Sequence, residues 1–116
     1  MNLYQLNHNL LLSLNHEEIE GLTKINANTT EAALEKHIPE VRLEDNNVHV
    51  VVGSTIHPMM EAHYIMWRAL ETTKGTYIRY LNPGEEPKAT FTMQDDEKAI
   101  AVYEFCNLHG VWKKEL

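Results

Sequence analysis

Two short segments of the sequence concentrate side chains that bind transition metals. Residues 57–63 read HPMMEAH, and residues 106–110 read CNLHG. A spacing of three lets one turn aim both Cys106 and His109 inward, and Gly110 allows the backbone to bend there. One thiolate and several imidazoles form a borderline-soft donor set that suits iron, copper or zinc. Each side chain alone is compatible with a packed core, whereas the two segments together predict a metal site.

Short β-strands must position these segments. Alternating apolar and polar residues, interrupted by Asn, Asp, Gly and Pro about every 8–12 residues, are typical of an antiparallel sandwich or small barrel. Seven strands are predicted, at residues 40–45, 48–52, 64–71, 76–81, 89–93 and 98–105 and after Gly110. In such a fold we expect the two metal-binding segments to lie in loops at one end.

The first 28 residues have a different pattern. Leucines recur there at helix-like spacing, at positions 3, 6, 10 and 14. An amphipathic helix and an irregular arm are both compatible with this pattern. A short helical turn is predicted within residues 28–37, since Asn28 followed by Glu31 resembles a capping box.

Composition excludes several classes of function. The chain has 116 residues, 43% of them hydrophobic and 23% charged, which is ordinary for a soluble globular domain. Its net charge of −7 is opposite in sign to that expected of a nucleic-acid binder. A single cysteine forms no internal disulfide, and no apolar run approaches the ~18 residues of a membrane helix. We therefore expect a cytoplasmic protein that binds neither nucleic acid nor a membrane.

Three motifs in the same order give the sequence a resemblance to the superoxide reductase family, which includes the neelaredoxins and desulfoferrodoxins. The motifs are EKHIP from Glu35, HPMMEAHYI from His57 and CNLHGVW from Cys106. The resemblance covers about residues 28 to 114. It implies that the seven-stranded all-β fold is immunoglobulin-like, an antiparallel β-sandwich or barrel.

The resemblance also implies a division of the chain into a short N-terminal extension, residues 1–28, and an iron-binding domain, residues 29–116. The two-iron members of the family carry an N-terminal desulforedoxin-like domain with cysteine ligands, and residues 1–28 contain no cysteine. We therefore expect the extension to hold no metal. It would be either a remnant of that domain or an arm that packs on a neighbouring subunit.

The cofactor that the resemblance implies is one mononuclear, non-haem iron per chain, with four histidines as equatorial ligands and a thiolate as the axial ligand. These ligands would be His37, His57, His63, His109 and Cys106. His109 would bind through Nδ1 and the other histidines through Nε2. The backbone N–H groups of Leu108 and His109 would point at the Cys106 sulfur. Trp112 is expected to fill the core or to shield that sulfur.

The implied activity is that of an oxidoreductase that detoxifies superoxide, reducing it by one electron to hydrogen peroxide without forming dioxygen. The resemblance implies two catalytic residues. The positive charge of Lys36 would attract superoxide to this acidic protein, and Glu35 would be the sixth ligand of the ferric state. The implied partners are a rubredoxin-like or other small electron donor and further copies of the chain in a homodimer or homotetramer.

Three other interpretations compete with an iron enzyme. A blue-copper electron carrier uses one cysteine, two histidines and a methionine shortly after the last histidine, but residues 110–116 contain no methionine. A structural zinc site uses four ligands and leaves one of the five donors unexplained. In a protein-interaction module that binds no metal, all five side chains would serve only to pack the core.

Overall fold

The computed structural model describes residues 1–116 except residues 30, 31, 33 and 54–56 and the side chain of Glu35. The elements are β1 Asn2–Leu6, β2 Asn9–Ser13, β3 Thr23–Lys24, α1 Leu34–His37, β4 Pro39–Glu44, β5 Asn47–Val52, β6 Ile65–Thr72, β7 Thr76–Tyr80, β8 Lys88–Thr92, β9 Ala99–Cys106 and β10 Gly110–Glu115. Across the described residues, no helix has the length and apolar character needed to cross a bilayer.

The strands β4 to β10 form two antiparallel sheets, one in the order β10-β9-β6-β7 and the other in the order β4-β5-β8. Their number and order along the chain confirm the predicted seven-stranded sandwich, with ends that differ by at most one residue from those expected. The β4–β5 hairpin turns at Asp45, whose φ of 53° lies in the left-handed region that Asp tolerates.

The core between the two sheets is built from the inward-facing side of each strand. Along β5, buried and partly buried residues alternate, which is the two-residue period of a strand with one face inward. Val48 and Val50 pack there against Leu70, Phe91 and Val102. A second buried cluster, which contains Val52, Ile65, Leu81 and Cys106, continues this core to the end of the sandwich that carries the candidate metal ligands.

The first 24 residues form neither a helix nor an irregular arm, so both expectations for this segment were wrong. They contain three antiparallel strands in the order β2-β1-β3. The β1–β2 connection consists of Asn7 and His8, and Asn7 has a φ of 57°, which suits a two-residue hairpin turn. The leucine spacing is compatible with two strands joined by this turn as well as with a helix, and the turn decides between them.

The N-terminal sheet packs against the four-stranded sheet of the same chain. Leu3 is 7% exposed and belongs to one apolar cluster with Ala69, Ala101, Tyr103 and Val111. Two statements about the extension stay predictions. These are its descent from a desulforedoxin-like domain and its boundary at residue 28.

Asn28 joins the extension to β10 instead of capping a helix. Its backbone N–H donates to the Val111 carbonyl, its Nδ2 donates to the Lys113 carbonyl, and its Oδ1 accepts from the Lys113 N–H. The predicted capping partner, Glu31, lies outside the described residues. The predicted helical turn is present as α1, which begins only at Leu34.

Candidate metal centre

Three segments that are distant in the sequence meet at one end of the sandwich. His37 ends α1 directly before β4. His57 and His63 lie in the connection between β5 and β6, and the β9–β10 hairpin carries Cys106 and His109. Because both sheets contribute a connection to this end, the fold places all five candidate ligands close together.

Asn107 fastens two of these segments to each other. Its Oδ1 accepts from the Tyr64 N–H at 3.0 Å, and its Nδ2 donates to the Ala62 carbonyl at 3.0 Å. Its own N–H donates to the Tyr64 carbonyl. Reciprocal backbone hydrogen bonds between Met60 and His63 tighten the 57–63 loop. The hairpin and the loop are therefore held in a fixed relation next to the candidate ligands.

The donor atoms of the five residues converge. His37 Nε2 lies 3.1 Å from His57 Nε2 and 3.0 Å from His109 Nδ1. Cys106 Sγ lies 3.8 Å from His109 Nδ1. One donor atom from each of His37, His57, His63 and Cys106 lies within 4.8 Å of the others, so these four residues are able to hold a metal ion.

The four imidazole rings are arranged as a square. Neighbouring rings lie 4.7–5.0 Å apart between centroids and are close to perpendicular, in the cyclic order His37, His57, His63, His109. His37 and His63, which face each other across this square, lie 6.4 Å apart and are inclined by only 27°. Such an arrangement brings one nitrogen from each ring to a common centre.

The residues present fit a bound transition metal. Neighbouring ligands that each bind one ion at ~2.1 Å lie about 3.0 Å apart when their bonds are perpendicular, which agrees with the separations at His37 Nε2. The Nε2 atom of His63 is buried without a hydrogen-bond partner among the described residues, as expected of a ring nitrogen reserved for a metal. The nitrogens that converge are Nδ1 of His109 and Nε2 of His37 and His57, the same atoms that the family resemblance implied.

Burial favours the neutral form of two rings of the site, those of His57 and His63. It lowers the pKa of His57 to about 4, although the Pro58 carbonyl, 2.7 Å from His57 Nδ1, favours the protonated ring. The pKa of His63 is also lowered, mainly by burial and then by the nearby His109 and Lys36. The contact with Pro58 holds a proton on Nδ1 and leaves the lone pair on His57 Nε2 for a metal.

The Cys106 sulfur closes the inner side of the site. Cys106 is fully buried, and burial raises its pKa, while hydrogen bonds from the backbone N–H groups of Leu108 and His109 lower it. These two N–H groups therefore point at the sulfur as the resemblance implied. In the absence of a metal the thiol is protonated at neutral pH, and a bound cation would displace that proton.

Sequence reasoning missed a glutamate and an arginine that are buried beneath the sulfur. Glu104 precedes Cys106 by two residues on β9 and is fully buried opposite Arg68 of β6. Burial raises the pKa of Glu104, and the Arg68 guanidinium opposes this shift. Arg68 also donates to the Lys88 carbonyl of the facing sheet. Strand periodicity places Glu104 and Cys106 on one face, but it does not show that Arg68 lies opposite Glu104 on the neighbouring strand.

Trp112 does more than fill the core. Its ring stacks on His37, with centroids 4.9 Å apart and an interplanar angle of 28°, and its Nε1–H donates to the His109 carbonyl at 3.0 Å. Trp112 therefore orients one ligand through its ring and holds the backbone of a second.

The two residues predicted to be catalytic precede His37 on α1. Lys36 is exposed, and it is close enough for its charge to help lower the pKa of His63. The prediction for Glu35 concerns a side chain outside the described residues.

Comparison with known protein families shows which family the chain belongs to. A sequence model of the desulfoferrodoxin family matches residues 29–115. The chain belongs to the desulfoferrodoxin family. It is 44% identical over 85 residues to the desulfoferrodoxin homolog of Archaeoglobus fulgidus, an alignment that covers 73% of this chain and 66% of that protein. It is 40% identical over 96 residues to the desulfoferrodoxin of Desulfarculus baarsii, covering 83% and 75% respectively.

Solved structures show the same relationship. The superoxide reductase from Treponema pallidum is 36% identical and superposes with a TM-score of 0.83 over 99% of both chains, so the similarity includes the N-terminal sheet. The superoxide reductase (1Fe-SOR) from Giardia intestinalis is 39% identical, with a TM-score of 0.60 over 71% of this chain and 99% of that one. These comparisons confirm three predictions from the sequence: the family, the all-β fold and the class of oxidoreductase, which is superoxide reductase.

The site of this desulfoferrodoxin-family chain does not fit the competing interpretations. A blue-copper site uses two histidines with one thiolate, whereas four rings converge here. A structural zinc site is complete with four ligands, one fewer than the donors that meet at this end of the sandwich.

The two contacts of Trp112 predict a graded loss of metal affinity. Trp112→Phe keeps a ring beside His37 but loses the hydrogen bond to His109, so we expect about tenfold weaker binding of ferrous iron. Trp112→Leu removes both contacts and should weaken binding further. Competition with a chromogenic chelator measures the affinity, and Trp67→Phe, which alters the tryptophan stacked on Phe105, is the matched control. An unchanged affinity in Trp112→Phe would contradict the role given to this side chain.

Proposed function

We propose that the chain is a one-iron superoxide reductase whose ligands are His37, His57, His63, His109 and Cys106. The reaction joins one superoxide anion, one electron and two protons into one molecule of hydrogen peroxide. An iron held by these residues would supply the electron by changing from the ferrous to the ferric state. The observation that carries this proposal is the square of four imidazoles beside one buried sulfur.

The difference in burial between the two sides of the site supports a small substrate that arrives from solvent. Cys106 is fully buried at the end of the core, and His37 and His57 are nearly so. His63 and His109 are only partly buried. A diatomic anion therefore approaches on the side of His63 and His109, while the sulfur remains sealed from water.

The residues of the site favour an anion despite the acidity of the chain. The chain carries a net charge of −7, which repels superoxide at long range. The lowered pKa values of His57 and His63 favour neutral rings at pH 7, and an imidazole that binds a metal is neutral. A divalent cation held by four imidazoles and one thiolate would therefore keep one net positive charge. Lys36 adds a second positive charge on the exposed side. The local field therefore attracts the substrate that the whole molecule repels.

Further parts of the proposal rest on the sequence. Glu35, two residues before His37, is proposed as the ligand that binds the oxidised site, because its carboxylate is stabilised more strongly by a trivalent ion. The single cysteine supports a cytoplasmic location. A role in detoxification, a small protein as the electron donor and assembly into homodimers or homotetramers are proposed from the family motifs.

The stoichiometry of the reaction tests the proposed function. Iron-loaded protein that has been reduced beforehand should convert each superoxide generated by pulse radiolysis into one hydrogen peroxide, with no dioxygen released. A peroxide assay and an oxygen electrode measure the two products. Release of one dioxygen for every peroxide would show dismutation and contradict the proposal.

The charge of Lys36 predicts a change in the rate with which superoxide reacts. Lys36→Gln should lower the second-order rate constant about threefold at low salt and flatten its dependence on ionic strength, because steering by a positive charge is lost. Lys98→Gln removes an exposed charge from another loop and is the matched control. Equal salt dependence in Lys36→Gln and the unaltered protein would refute the steering role of Lys36.

A further inference from the structure

A pocket of about 400 Å³ lies beside the edge of the three-stranded sheet, and we call it the β8 pocket. β8 contributes residues 88–90, β5 contributes residues 49–51, and β7 contributes Arg79. β8 ends the three-stranded sheet and β7 ends the four-stranded sheet, so the pocket lies between two strand edges. Neither Lys36 nor any of the five candidate metal ligands lines it. The β8 pocket is therefore distinct from the candidate metal centre.

The β8 pocket is positively charged. Arg79 and Lys88 are both exposed there, and Val51 and Ala89 supply apolar surface between polar groups. Among the residues that the structure describes, no Asp or Glu lines the pocket, although the whole chain contains 17 of them. On a chain of net charge −7, such a local excess of positive charge attracts anions that the rest of the surface repels.

Arg79 lies opposite a second arginine and lacks a counter-ion. The β6–β7 register pairs it with Arg68, and side chains directly opposite each other share one face of the sheet. The pKa of Arg68 is lowered to about 10, first by burial and then by the charge of Arg79. Arg68 donates to the Lys88 carbonyl, whereas Arg79 forms no hydrogen bond or ion pair with another described residue. An anion beside Arg79 would offset this repulsion between like charges.

The edge of β8 also offers a backbone donor. The Val52 N–H donates to the Pro87 carbonyl, and the same register places Val50 opposite Ala89. Hydrogen-bonded pairs alternate with non-bonded pairs in an antiparallel ladder, so the Thr90 N–H points away from β5. No described residue accepts a hydrogen bond from it. This N–H and the two cationic side chains together form a donor set that suits an oxyanion.

Thr90 and His49 add further polar atoms to the wall of the β8 pocket. His49 Nδ1 lies 2.9 Å from Thr90 Oγ1, which links the outward-facing side chains of two neighbouring strands. His49 Nε2 is buried and has no hydrogen-bond partner among the described residues. The wall of the pocket therefore contains a polar atom that the chain itself leaves unsatisfied.

Lys88 has one acidic neighbour outside the pocket lining. Its Nζ lies 3.5 Å from a carboxylate oxygen of Glu86, and the two side chains are 54% and 80% exposed. Exposed ion pairs of this kind contribute little free energy, because water screens the charges and both side chains lose rotamer freedom. Glu86 therefore competes only weakly with an anion bound next to Lys88.

We propose that the β8 pocket binds a phosphoryl group, as inorganic phosphate or as a phosphate monoester, through Arg79, Lys88 and the Thr90 N–H. A phosphoryl group carries nearly two negative charges at pH 7 and presents several acceptor oxygens to donors on different sides. A volume of about 400 Å³ lies within the range of small-molecule sites. This site is independent of the proposed function, since it uses none of the metal-centre residues.

Isothermal titration calorimetry of the iron-loaded protein in a phosphate-free buffer tests the site. The probes are inorganic phosphate and adenosine 5′-monophosphate, and adenosine, which has no phosphoryl group, should not bind. Arg79→Gln should weaken the binding of both anions about fivefold at low salt, and added salt should reduce the difference. Tighter binding of the monophosphate than of phosphate would assign the site to a phosphate monoester, and the reverse would assign it to the free anion.

Two further variants give the test its controls. Glu86→Gln should strengthen the binding of both anions about twofold, because Lys88 loses its acidic neighbour. Lys98→Gln removes an exposed positive charge that does not line the pocket, and it should change the dissociation constants less than twofold. Arg79→Gln should unfold at the same temperature as the unaltered protein or higher, since it removes the repulsion with Arg68.

The contrary outcomes are equally specific. Binding that weakens in Lys36→Gln but not in Arg79→Gln would place the anion at the metal centre and overturn the β8 pocket. Equal affinities of Arg79→Gln and Lys98→Gln would overturn it as well. If neither probe binds saturably and Arg79→Gln aggregates more readily by light scattering, the arginine serves only to protect a free strand edge, and the proposal is wrong.

Discussion

Four imidazole rings stand at right angles to their neighbours around a common centre, and the rest of the structure depends on this arrangement. Ring nitrogens about 3.0 Å apart, such as His37 Nε2 and His109 Nδ1, bring lone pairs into close opposition unless a proton or a cation lies between them. Burial favours neutral rings, since it lowers the pKa of His57 to about 4 and also lowers that of His63. A neutral ring keeps one proton and one lone pair, so a cation at the common centre would accept the lone pairs that point there, and the sandwich supplies the rigid frame that holds the rings together.

Contacts between residues that are distant in the sequence hold that frame in place. Asn107 fastens the hairpin to the 57–63 loop, and Trp112 supports His37 with its ring and His109 with its Nε1–H. Beneath the sulfur, Glu104 and Arg68 lie opposite each other on neighbouring strands and are fully buried. Burial is the main cause that raises the pKa of Cys106, so at neutral pH the thiolate forms only when a metal cation compensates for its negative charge.

Most of the fold around the site could be predicted from sequence because its strands have a regular two-residue period and are separated by turn residues. The ligand types followed from three motifs, and the atoms that converge are those the motifs implied. The N-terminal sheet could not be predicted in the same way, since leucines at positions 3, 6, 10 and 14 suit a helix as well as a hairpin. The position of Arg68 opposite Glu104 and the stacking of Trp112 on His37 depend on contacts between segments distant in the chain, which spacing along the sequence does not specify.

X-ray absorption spectroscopy of the iron-loaded protein tests the central claim most directly. Four nitrogen neighbours at ~2.0–2.1 Å and one sulfur neighbour at ~2.3 Å, with one iron per chain by elemental analysis, are the expected result. The multiple-scattering pattern should correspond to four imidazoles. A spectrum without a sulfur neighbour, or with fewer than three imidazoles, would contradict a centre built from these five side chains.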